Sequence, residues 1–152
     1  MKLVGKRLTM SLANYKVDEL WKRFMPQRNL INNKLSNHLI SLASYKPDYF
    51  TNFKPTNEFE RWVAVEVTNF DNVPEEMETF IIPAGLYAVF DYKGLNTDNS
   101  IFQYIYGIWI PNSGYIIDNR PHFEVLGEKY KNNDPTSEEE IWIPVSPKLP
   151  ST

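Results

Sequence analysis

The sequence predicts an α+β fold built from duplicated βαββ units, with a curved antiparallel sheet, two main helices on one side of it and a pocket at the pseudo-twofold seam. Three observations predict this. Apolar residues alternate at period two in several stretches and recur at three- and four-residue steps in two others. These stretches run strand, helix, strand, strand, and then repeat that order. The last strands of the two halves also match, Glu60-Arg61-Trp62-Val63-Ala64-Val65 against Glu140-Ile141-Trp142-Ile143-Pro144-Val145, with Glu, Trp and Val in step. Met25-Pro26 near the first helix end answers Ile110-Pro111 near the second, and Leu39 and Leu42 answer Phe123 and Leu126. The halves cover about 3–70 and 80–146 of a single domain, 1–152, with a tail at 147–152.

The first element is a strand, because Leu3 to Leu12 alternates and β-forming residues end at Asn14. From Val17 the period changes: Val17, Leu20, Trp21, Phe24 and Met25 fall on one helical face, with Asp18 and Glu19 early and basic residues after them, the order the helix dipole favours. Pro26 either kinks this helix or stops it before it resumes through Leu30 and Ile31. His38 to Tyr45 reads as a second strand. Lys46 to Glu60 is a long loop carrying Tyr49, Phe50 and Phe53, which either tuck beneath it as a satellite cluster, the reading favoured here, or cover a pocket as a lid.

Arg61 to Val67 is an alternating strand, Asn69 to Glu78 a polar connection, and Pro83-Ala84-Gly85 a turn into the strand Leu86 to Tyr92. Asp98 or Asn99 caps a second helix whose apolar face holds Ile101, Phe102, Ile105, Ile108 and Trp109, and which ends before Pro111. A loop through Asn112, Ser113 and Gly114 leads to a closing hairpin of Pro121 to Glu128 and Glu140 to Val145. Ser146 to Thr152, with Pro147 and Pro150, reads as a frayed tail.

Composition excludes several chemistries. The chain of 152 residues has no cysteine, so disulfides, thiolate metal sites and a cysteine nucleophile are excluded, and a reducing cytoplasm is permitted. No run approaches the roughly 20 apolar residues of a membrane span, and the N-terminus lacks the pattern of a signal peptide; a cytoplasmic location is expected. A net charge of −3 argues against direct nucleic-acid binding, although basic residues outnumber acidic ones from Lys2 to Lys34. His38 and His122 are the only histidines, too few and too far apart for a metal centre. Neither a phosphate-cradling glycine loop nor a nucleophile elbow is present. No cofactor is expected.

The aromatic share of 14%, with 9 Tyr, 9 Phe and 4 Trp, suits a stacking pocket as well as a core. In the closing hairpin Glu140 and Trp142 share one side of a strand while Ile141, Ile143 and Val145 share the other, and Glu124 shares a side with Leu126. Acids beside an aromatic wall are what a flat, apolar cation requires, since Coulomb attraction and ring stacking act together. The competing reading is an ordinary solvated strand face.

The chain resembles the GyrI-like effector-binding domains, found fused to bacterial multidrug-sensing transcription regulators and as standalone proteins. The resemblance rests on Phe80-Ile81-Ile82-Pro83-Ala84-Gly85-Leu86-Tyr87-Ala88-Val89-Phe90, on Phe123-Glu124-Val125 and on Glu140-Ile141-Trp142-Ile143-Pro144-Val145. It implies a duplicated, SHS2-like fold that binds diverse hydrophobic, often cationic, aromatic compounds in a central pocket with a buried glutamate. By the family pattern Glu124 and Leu126, or Glu140 and Trp142, supply the acid and its neighbour. Tyr104, Trp109, Tyr87, Trp62 and Pro26 are further ligand-binding candidates by element position. No helix-turn-helix precedes Leu3, so an isolated effector module is expected. The resemblance leaves two alternatives open: a hydrolase of cyclopropane-bearing genotoxic compounds, with Glu124 or Glu140 as general base, and a regulator whose partner is a protein such as gyrase.

Overall fold

The computed structural model describes residues 1–149. Alternating residues build β1 (Lys2–Ser11), β2 (Leu39–Ser44), β3 (Glu58–Val67), β5 (Tyr87–Lys93), β7 (His122–Leu126) and β8 (Glu138–Pro147). The helical periods build α1 (Val17–Phe24) and α2 (Ser100–Tyr104). Two short strands escaped the sequence reading, β4 (Glu78–Ile81) and β6 (Tyr115–Ile117). Each is only a few residues long, so neither shows a resolvable alternation. The eight strands form one antiparallel sheet in the order β4-β1-β3-β2-β7-β8-β5, with β6 also on β8.

Read outward from the central β2–β7 pair, the two sides match: β2, β3, β1 on one and β7, β8, β5 on the other. Five residues, Ile82 to Leu86, join β4 at one edge to β5 at the other. Six interstrand spacings of about 4.8 Å amount to roughly 29 Å, beyond the roughly 20 Å that such a connection reaches, so the sheet is strongly twisted and curled.

Both helical runs cover the same side of the sheet. Leu20 and Phe24 of α1 pack on Val4, Val63 and Val65, and Ile105 and Ile110 pack on Ile141, Ile143 and Val145. The other side carries its own apolar layer, Leu3, Leu42, Trp62 and Phe123 sealed by Ile82 of the connecting segment. An apolar group on either side is thus taken out of water, and that burial is the main stabilising term.

Proline behaves differently in the two helices. After α1 the chain tightens into a 3₁₀ stretch, Met25–Leu30, with Pro26 in its first turn, where a missing N–H costs nothing. The second helix was expected to end before Pro111 and does not. A wide π turn, Ile105–Trp109, follows α2 and the last α-helical turn, Ile110–Asn112, contains the proline. The widened turn relieves the clash a proline ring makes with the carbonyl four residues earlier, and the Asn112 side chain donates to the Ile108 carbonyl at 2.7 Å. Asn99 is the N-cap position, yet the capping oxygen is Asp98 Oδ1, which accepts from the Ser100 amide at 2.9 Å.

The chain end also departs from expectation. β8 runs to Pro147 and the Lys148 amide donates to the Gly114 carbonyl at 2.9 Å, so Ser146 to Lys148 are held on the sheet. Residues 150–152 of the expected tail lie outside the described residues.

Candidate functional site

A candidate site lies where the two halves meet, on the helix-covered side of β2 and β7. Strand register decides which side chains reach it. Ser41 pairs with Val63 and Glu124, Ala43 with Arg61 and His122, and Glu124 with Ile141. Paired residues point to the same side, so Arg61, Ser41, Ala43, His122 and Glu124 share one surface. Glu139 joins them, being two residues before Ile141 on β8.

Arg61 is the central cation. Its Nη2 donates to Ser41 Oγ at 2.8 Å and lies 3.7 Å from Glu124 Oε1, an ion pair too long to be a hydrogen bond. The two charged side chains are 15% and 21% exposed, well inside the surface ion pairs of this protein. Burial works against the Arg61 charge, but Tyr15, Glu124, Tyr45 and Glu139 hold it up. Its Nε is buried without an acceptor.

Glu139 is the acid most altered by its surroundings. Burial first, then the charge of Glu124 and a hydrogen bond with it, push its carboxyl up to about 9, with Arg61 partly opposing. Two carboxyls this close cannot both ionise cheaply, so at neutral pH they hold one proton between them. Glu139 Oε2 is buried without a partner.

Aromatic rings frame these groups. The Tyr106 hydroxyl and His122 Nδ1 are hydrogen-bonded at 2.8 Å. Burial pushes the His122 imidazole down to about 4, so it is neutral, and pushes the Tyr45 and Tyr106 hydroxyls well up. Phe50, 40% exposed, lies nearly parallel to both His122 and Tyr106, with centroids 5.5 and 5.7 Å away, and edge-on to Tyr45 at 5.1 Å. The long loop thus does two things: Tyr49 enters the core of the first half, and Phe50 sits over the seam.

The residues expected at the site separate into groups. Glu124 is in the seam, and Leu126 is buried on the same side, opposite Leu39. Glu140 and Trp142 are on the other side of the sheet, where Trp142 pairs with Phe123 and Glu140 with Val125. The hairpin therefore does not bring Glu124 and Glu140 together. The long turn between β7 and β8 left their register open, and the observed register sets Glu139 beside Glu124 instead. Trp62 is also on that other side, 3% exposed and tilted against Phe80. Tyr87 and Trp109 line a separate flank groove of about 470 Å³ with Phe90, Tyr115 and Val145. Tyr104 is exposed on α2 and Pro26 is exposed beyond α1.

Arg61 and Glu139 were missed, though both carry a signal. Each is in phase with a run of residues that must be buried, Val63 and Val65 for Arg61, Ile141 and Ile143 for Glu139. A charge in step with a core-facing run belongs to the covered side.

The chain is 28% identical over 148 residues to the transcriptional regulator BrlR of Pseudomonas aeruginosa, covering 94% of this chain and 51% of that one, so it spans about half the length of this curated relative. The structure of SAV2435 bound to tetraphenylphosphonium superposes with a TM-score of 0.65 at 20% identity, covering 96% of this chain and 88% of that one. An integron cassette protein from the mobile metagenome of Vibrio cholerae gives 0.65 at 16% identity, with 96% and 90% covered. EcmrR, solved in a complex with DNA, gives 0.66 at 18% identity, with 97% of this chain and 54% of that chain covered. Among the described residues no helix is long and apolar enough to cross a membrane. A model of the integron-associated effector-binding proteins matches residues 1–145, and the chain belongs to that family.

Proposed function

We propose that the protein binds hydrophobic aromatic small molecules, cations among them, at the seam between its halves, as an effector-binding module. The observation that carries this reading is the half-buried carboxyl pair of Glu124 and Glu139, with Glu139 Oε2 buried and unpartnered, on the side of the sheet where Phe50 lies against Tyr106 and His122. Rings supply contact area that is tolerant of ligand shape, and an unpartnered buried oxygen favours any ligand that hydrogen-bonds to it. The family description, and the tetraphenylphosphonium held by the similarly folded SAV2435, support the same chemistry. Similarity to a transcription regulator supports a role in which ligand occupancy is read by a DNA-binding partner segment or protein.

Quenching of intrinsic fluorescence by rhodamine 6G tests the reading. The native protein is expected to bind saturably, at about micromolar affinity for a drug-sized ligand. Glu124→Gln should weaken binding at least tenfold, about 1.4 kcal/mol, and Glu140→Gln should leave it unchanged. The dye recovered afterwards should be chemically intact. Loss of binding in Glu140→Gln with no effect of Glu124→Gln would move the site to the other face and refute the proposal.

A further inference from the structure

We infer that Arg61 is the specificity-determining residue of the seam, a built-in cation beside Glu124 that makes the site favour uncharged aromatic ligands bearing a hydrogen-bond acceptor over permanently charged ones. This rests on the seam being the binding site. The charges that face the seam nearly cancel. β3 contributes Arg61, positive. β7 contributes Glu124, negative and 3.7 Å from Arg61, and a neutral His122. β8 contributes Glu139, which faces Glu124 and keeps its proton near neutral pH. The phenols of Tyr45, Tyr106 and Tyr130 are all held protonated by burial. The seam is therefore close to neutral, unlike a lone buried carboxylate waiting for a cation. Lys6 of β1, on the same side one strand out, adds only positive charge.

Arg61, moreover, cannot make way. Its guanidinium does not lose its proton at any ordinary pH, its Nη2 is anchored to Ser41 at 2.8 Å, and its side chain is 15% exposed on a strand with partners on both sides. A ligand cation must share Glu124 with it at close range. Arg61 also carries a buried, unpartnered Nε–H, a donor that a ligand oxygen would satisfy. Finally, the fold does not require a cation here. The matching position on β8 is Ile141, which packs in the core of the second half.

Tetraphenylphosphonium and triphenylphosphine oxide test this, since both present a propeller of phenyl rings, one around a permanent charge and the other around a neutral P=O acceptor. Calorimetric titration of the native protein at pH 7 should show the oxide binding at least tenfold more tightly. Arg61→Met should reverse the order, strengthening phosphonium binding at least tenfold and weakening the oxide. Arg61→Lys, which keeps the charge, should keep the native order, and it decides the matter with the native protein if Arg61→Met fails to fold. A native preference for the phosphonium, or an order unchanged in Arg61→Met, overturns the inference. If neither ligand binds, or if both bind with affinities indifferent to Arg61→Lys, Glu124→Gln and Tyr106→Ala alike, the seam itself is refuted. A response to those substitutions without the charge preference refutes only the role of Arg61.

Discussion

β3 and β8 occupy matching places in the two halves, and comparing them separates what holds the sheet from what makes the site. On the side away from the helices they agree. Trp62 Nε1 donates to Glu60 at 2.7 Å and Trp142 Nε1 to Glu140 at 3.3 Å, each indole tied to the acid two residues before it. On the helix side they differ: β3 presents Phe59 and Arg61 where β8 presents Glu139 and Ile141. Each strand thus carries one apolar and one ionisable residue, in opposite order. The shared pattern serves packing, and the exchanged one brings a cation to the seam from one half and a proton-holding carboxyl from the other. Acids on both faces carry the same functional group, but Glu140 is exposed with an indole donor while Glu139 is half-buried against another acid, and only the second is chemically unusual.

The largest effect should come from the shared pattern. Trp62→Ala removes an indole that is 3% exposed and packed in the layer with Leu42 and Phe123, and should cost about 3–5 kcal/mol in denaturant unfolding. Trp142→Ala, at the matching place but only half-buried over Phe123 with ring centroids 5.2 Å apart, should cost less, about 1–3 kcal/mol. Equal costs would mean that the two faces of the halves are loaded alike.

Next comes the pH dependence that the exchanged pattern creates. Glu139 is raised in the folded state from 4.5 to about 9, so the unfolded chain releases its proton first and stability falls as pH rises across that window. His122 is lowered from 6.5 to about 4, so stability falls as pH drops across that range. The two slopes oppose one another between about pH 4.5 and 6.5. Above this, Glu139 acts alone, at up to about 1.4 kcal/mol per pH unit. Glu139→Gln should flatten the decline between pH 6.5 and 9 and be the more stable form at pH 8; an unaltered slope would show that Glu139 is not held protonated.

A smaller effect is expected from making the strands alike. Arg61→Ile removes the one charge that pulls Glu139 downward, so the carboxyl pair should hold its proton to still higher pH, measurable in the carboxyl carbon shifts. The smallest effects belong to the acids on the side away from the helices. Glu60→Gln loosens an ion pair with Arg7 at 2.7 Å whose side chains are 47% and 28% exposed, and should cost under about 1 kcal/mol, while Glu140→Gln should cost under about 0.5 kcal/mol.

Much of the fold was readable because strand and helix periods are local. α1 begins at Val17 as its pattern indicates, and the alternations at Arg61 to Val67 and Leu86 to Tyr92 mark strands to within a few residues. β4 and β6 were not, because strands of four and three residues are fixed by partners distant in sequence rather than by their own period. The continuation through Pro111 depends on a π turn, which sequence periodicity does not mark. At the site, Glu124 was legible and its companion was not. Parity along β8 assigns Glu139 to the side of Ile141, but which residue of β8 meets Glu124 depends on how the turn between Gly127 and Ser137 closes. That turn is fixed by non-periodic bonds within it, such as Glu138 N to the Lys129 carbonyl at 3.0 Å and Lys131 N to Ser137 Oγ at 2.8 Å.

The most direct test of the seam as a proton-sharing ligand site is a carboxyl carbon NMR titration of glutamate-labelled protein, with and without triphenylphosphine oxide. The carboxyl of Glu139 should titrate near pH 9 in the free protein, and the oxide should move the Glu139 and Glu124 resonances while leaving Glu140 and Glu60 in place. Titration of Glu139 in the usual carboxylate range, together with ligand shifts confined to Glu140 and Glu60, would contradict the assignment and place the binding surface on the opposite face of the sheet.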